Sequence, residues 1–118
     1  MIFLINNLIK NERAMQKNIE TGITPVTKEK IIGIIHALIP GCKIYLFGSR
    51  ARGTHSPSSD VDLAVDIGIP IVPRIRVGEI QEVLKGLYTA YTFEVVDLHN
   101  VSDTMRQLIL HEGIVWSN

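Results

Sequence analysis

The chain has 118 residues, 46% of them hydrophobic, enough for a single core but not for a catalytic domain plus a separate substrate domain. Its 12 Lys+Arg balance 12 Asp+Glu, so it lacks the cation surplus with which dedicated nucleic-acid binders displace phosphate counterions, and direct nucleic-acid binding is not expected. The balance hides an asymmetry: residues 1–59 carry 8 Lys/Arg and 3 Asp/Glu, residues 60–118 carry 4 and 9, so basic and acidic surfaces can meet at a site.

Met1 to Ile9 is apolar but far shorter than the roughly 20 residues of a membrane span. It has neither a basic flank nor a small-residue cleavage site, so no membrane anchor or signal is read. Residues 1–24 are expected to be an N-terminal tail or extension, with Met15 an alternative start, and residues 25–118 the folded domain. Thr27 is read as a helix cap, followed by Ile31, Ile34, Ile35 and Leu38 at core-facing spacing and a stop at Pro40-Gly41. KIYLF (43–47) is a short strand ending at Gly48-Ser49, and DVDLAV (60–65) alternates like a half-buried strand. Ile75, Ile80, Val83, Leu84 and Leu87 predict a helix beginning near Pro73, and TFEVVDL (92–98) a third strand. A last helix follows Ser102 and stops at Gly113, before a short strand at Ile114-Val115-Trp116. This order is a small α/β layer, a mixed sheet with helices on one face.

The chemistry concentrates in GSRARGTHSPSSDVD, Gly48 to Asp62. A strand ending in Gly-Ser and turning into a helix start offers backbone N–H groups and a hydroxyl to phosphate oxygens, with Arg50 and Arg52 as cations beside it. Neither GxxxxGK[ST] nor GxGxxG is present. Asp60 and Asp62, two apart on a strand, share a face with Cα atoms roughly 6.5 Å apart and can converge on a pair of cations about 3.5–4 Å apart. Hard oxygen ligands of this kind favour Mg²⁺ bridging to phosphates. A third carboxylate is expected from the neighbouring strand, where Glu94 and Asp97 lie on opposite faces. If Phe93 and Val95 pack on the helices, Glu94 faces the site, and Asp97 is the alternative.

LFGSRARG followed by SDVDL resembles the minimal nucleotidyltransferases of the DNA polymerase β-type superfamily, over about Ile31 to Trp116. The resemblance implies that Gly48, Ser49 and Arg52 hold the triphosphate of ATP, the substrate, and that Asp60 and Asp62 bind two Mg²⁺ ions. Ser59 is a weaker nucleotide-binding candidate. The resemblance sets Glu94 at the usual aspartate position, one methylene longer than the family's residue, and Asp97 at a more peripheral acid. It further implies transfer of a nucleoside monophosphate, AMP from ATP, to a hydroxyl on a separate HEPN-type helical protein, with the chain as antitoxin of a toxin-antitoxin pair. The alternatives are a non-catalytic antitoxin that masks its partner, and a small-molecule (aminoglycoside-like) nucleotidyltransferase with its acceptor site across a homodimer. Among the remaining residues, His55 reads as a solvated loop residue and the lone Cys42 as a small core residue. One cysteine and no zinc spacing fit a reducing, cytoplasmic setting.

Overall fold

The structure is a computed structural model that describes residues 21–118. The tail expected over 1–24 falls outside the described residues up to Glu20, and so does Met15 as an alternative start. Among the described residues, four helices and four strands come in chain order: α1 (Pro25–Leu38), β1 (Lys43–Phe47), α2 (Ser49–Arg52), β2 (Val61–Asp66), α3 (Ile75–Leu87), β3 (Phe93–Asp97), α4 (Asp103–Glu112) and β4 (Ile114–Ser117). The strands form one mixed sheet in the order β3-β2-β1-β4, with β2 parallel to β3 and the other two pairings antiparallel. Among the described residues no helix is long and apolar enough to cross a membrane.

The first helix begins earlier than Thr27. Thr24 is its cap, accepting the Thr27 N–H at 3.2 Å, and Pro25 takes the first helical position, where a missing N–H costs nothing. Ile31, Ile32 and Ile35 are buried, and Ile34 and Leu38 pack at the margin. The stripe of α3 is narrower than the sequence implies. Ile80 and Leu84 are buried, with Val77 and Tyr88 against the same core, whereas Ile75, Val83 and Leu87 are exposed. This helix touches the sheet chiefly at edge strand β3, so one narrow line of side chains suffices.

Alternation along the strands sorts the two sheet faces. Ile44, Leu46, Val61, Leu63, Val65, Phe93 and Val95 join the main core with α1 and α3, and Trp116 closes it from β4. Tyr45, Phe47, Ala64 and Val96 face the other way and meet Ile109 of α4 together with Leu98. The expectation of helices on one face therefore holds for α1, α3 and, through Ala51, α2. The short α4 lies on the opposite face because the chain turns over β3 at 98–102 and returns to β4 beyond β1. Helix α4 is anchored there by Ser102, whose hydroxyl accepts the Met105 N–H at 3.1 Å.

Candidate active site

Three strands converge on Asp62. The antiparallel register sets it opposite Phe47 and the parallel register opposite Glu94. Adjacent strands lie about 4.8 Å apart, so both neighbours come within side-chain reach of its carboxylate. Asp62 and Glu94 share the face that carries Ala64 and Val96, while Asp60 stands just before β2. The outcome is one carboxylate cluster: ligand oxygens of Asp60, Asp62 and Glu94 all lie within 4.8 Å of one another. Thr92 Oγ1 donates to Asp60 Oδ1, tying the foot of β3 to the first of the three.

Period-2 geometry also decides between the two candidate third acids. Asp97 faces the main-core side, is 6% exposed, and accepts the Ile71 N–H at 2.8 Å and the His99 N–H at 2.9 Å. Its carboxylate anchors the loop after β2 and does not join the cluster.

The Gly48-Ser49 turn stands against Asp62. Gly48 has φ +76° and ψ −157°, a conformation open to glycine, and a β-carbon there would overlap the Asp62 carboxylate. The absent side chain is what lets the turn's backbone and the carboxylate lie side by side. Gly48→Ala is expected to cost about 2 kcal/mol or more through strain and overlap, checked by denaturant unfolding. Ser49 opens α2, and Arg52 closes it with its guanidinium half-exposed. Arg52 Nη1 pairs with Glu112 Oε1 at 3.0 Å, and the same oxygen accepts the Gly48 N–H at 3.4 Å. Glu112, the last residue of α4, is a site residue that the sequence pattern did not single out. Ser59 lies one residue before the cluster, with its hydroxyl engaged in the loop's own turn, accepting the Ser56 N–H at 2.9 Å.

Arg50 is not a cation offered to a ligand. It is 2% exposed, and its guanidinium donates to the carbonyls of Thr21 (2.9 Å), Pro57 (3.3 Å) and Ser59 (3.0 and 3.2 Å). It also lies over the Tyr91 ring, 5.4 Å from the centroid. These bonds fasten the loop between α2 and β2, and Thr21, to α2, with the bonded Ser59 directly before Asp60. His55 is half-buried rather than solvated, and the thiol of Cys42 is buried, with its pKa pushed up by that burial.

Electrostatics single out Asp62. Burial, then the negative charge and hydrogen bond of Glu94, then the charge of Asp60 push its carboxyl up to about 7, against a smaller opposing pull from Arg52. Its folded pKa thus exceeds the unfolded 3.8, and the folded protein holds a proton that the unfolded chain has released. The resulting stability is present below about pH 4 and lost as pH rises through about 7. The metal-free protein should therefore melt at a higher temperature at pH 5.5 than at pH 8, by an amount equivalent to about 1–2 kcal/mol after screening by solvent. Mg²⁺ should recover much of that difference at pH 8, and a melting temperature indifferent to Mg²⁺ there would count against a metal at this cluster.

An oxygen-only cluster beside a glycine turn, at the end of a small mixed sheet, has the donor chemistry to hold a hard cation against phosphate oxygens. The family profile described as Polymerase beta, Nucleotidyltransferase matches residues 29–117, and the chain belongs to that family. Solved structures similar to it include toxin-antitoxin complexes. One, a toxin-antitoxin with AMP-PNP, is 30% identical with a TM-score of 0.67, covering 75% of this chain and 71% of that one. The MntA-HepT toxin-antitoxin is 26% identical with a TM-score of 0.63, covering 79% and 71%. A complex of the tri-AMPylated Shewanella oneidensis HEPN toxin with its MNT antitoxin is 27% identical with a TM-score of 0.60, covering 75% and 67%. No curated protein matches the chain.

Proposed function

We propose that the chain is a Mg²⁺-dependent nucleotidyltransferase that moves AMP from ATP to a hydroxyl on a HEPN-type helical partner, and so acts as its antitoxin. The observation that carries this reading is the convergence of Asp60, Asp62 and Glu94 within 4.8 Å beside the Gly48 turn. A structural neighbour containing AMP-PNP and another whose toxin is tri-AMPylated support the nucleotide and the acceptor.

The donor set fits a hard cation. All three are carboxylates, and the mutual repulsion by which Glu94 and Asp60 raise the Asp62 carboxyl is what a bound cation would relieve. Asp60, Asp62 and Glu94 would hold two Mg²⁺ ions, which when bound supply charge neutralisation of the phosphates. In the transfer the acceptor oxygen attacks the α-phosphorus, the bond from that phosphorus to the bridging oxygen breaks, and pyrophosphate leaves. Gly48 N–H, Ser49 and Arg52 hold the leaving phosphates in line, and Glu94, exposed at the rim, takes the proton of the attacking hydroxyl. Glutamate in place of aspartate adds a methylene, and the cluster forms with it.

The described residues form one α/β layer with no separate acceptor-binding unit among them, so the hydroxyl is to be supplied from outside them. Incubation with Mg²⁺ and α-³²P-ATP, with and without the protein encoded beside it, tests the reading. Label on the partner is the expected result. Tight complex formation without label would assign the chain to masking without catalysis, and label on an added aminoglycoside without any partner would assign it to small-molecule transfer.

A further inference from the structure

Two of the three groups that the nucleotide reading gives to phosphate, the Gly48 N–H and Arg52, already share an anion. Glu112 Oε1 accepts the Gly48 N–H at 3.4 Å and Arg52 Nη1 at 3.0 Å. The Glu112 side chain is 13% exposed, against 48% for Arg52, so the carboxylate is seated inside while the guanidinium reaches it from the rim. A single N–H cannot fully serve two acceptors, and two anions beside one guanidinium repel each other.

We infer that Glu112 is a resident stand-in for phosphate, and that a triphosphate must turn it away before taking both donors. The inference rests on the nucleotidyltransferase reading above and adds a residue that sets nucleotide affinity. While the carboxylate sits on Gly48 and Arg52 it holds the turn and the arginine in place, and it competes with the ligand they are placed to receive. The exchange is a rotation of one side chain. The backbone behind it is held by the Gly113 N–H, which donates to Ile109 O at 2.8 Å. Helix α4, anchored by Ile109 on the sheet face, therefore stays in place while its last side chain moves.

The test is titration of the full chain and of Glu112→Gln and Glu112→Ala with a non-hydrolysable ATP analogue in Mg²⁺, by calorimetry, with the Gly48 amide followed by ¹⁵N NMR. Both variants should bind about fivefold more tightly than the native protein, the scale of one partly exposed charge interaction. In the native protein the Gly48 amide resonance should move when analogue or inorganic tripolyphosphate is added. Equal or weaker binding by both variants, with unchanged melting temperatures, overturns the inference and leaves Glu112 as a positioning residue for Arg52. Absence of binding by native protein and variants alike overturns the nucleotide reading and this inference with it. If the variants fold poorly, the Glu112 carboxyl ¹³C shift of the native protein decides: movement on adding analogue supports displacement, and a fixed shift overturns it.

Discussion

Asp62→Asn is expected to reduce nucleotidyl transfer by about 10³-fold or more while making the metal-free protein more stable at pH 8. The two effects have one cause. Asp62 stands among Asp60, Glu94 and the Gly48 turn, partly buried, and its negative charge is opposed by burial and by both neighbouring carboxylates. Asparagine keeps the shape, ends the repulsion and can donate to Glu94, so about 1–2 kcal/mol of stability is expected at pH 8 after allowance for solvent. It also removes the central ligand of the cluster, so the Mg²⁺-dependent rise in melting temperature should disappear. Stability and activity moving in opposite directions is the signature of a site held under strain for its chemistry. Parallel thermal melts and labelling assays read both quantities. Transfer within tenfold of the native rate would remove Asp62 from the site, and lost activity together with lost stability would make its role structural.

The readability of this site in the sequence followed the range of the interactions that build it. Asp60, Asp62 and Glu94 lie on or next to strands whose side chains alternate, so a period-2 reading placed them on one face and turned Asp97 to the other. Ser102 as a cap and Gly113 as a stop were equally local. The errors arose where one local cue outweighed another or where partners were distant. Thr27 has a cap's chemistry, but Pro25 is better suited to the first turn and Thr24 stands directly before it. Arg50 and Arg52 look alike two residues apart, yet one is buried on three backbone carbonyls and the other reaches the surface. Carbonyl acceptors leave no trace in a side-chain pattern. Glu112 is 64 residues from Gly48 and arrives there only because α4 crosses the face that a simple layer would leave open. A search for carboxylates at helix C-terminal ends could have raised it, since an acid at the negative end of a helix is unfavourable unless something positive receives it.

The buried arginine leads to the largest expected effect on the fold. Arg50→Met preserves length and apolar bulk and deletes every donor, leaving the carbonyls of Thr21, Pro57 and Ser59 without the guanidinium they share. One buried acceptor and two part-buried ones that lose a charged donor cost about 3–5 kcal/mol together, a large part of the roughly 5–15 kcal/mol that holds a domain folded. The melting temperature should fall by about 10–20 °C. Arg50→Lys should recover only part of that loss, because an ammonium cannot span carbonyls that a planar fork reaches from two sides or lie flat over Tyr91. Cooperative loss is not the only expected result. Ser59 is bonded by Arg50 and Asp60 follows it, so at temperatures where the lysine variant is still folded its Mg²⁺-dependent stabilisation should be weaker than in the native protein. Native-like metal stabilisation in that variant would mean that Arg50 secures the loop without setting the position of Asp60.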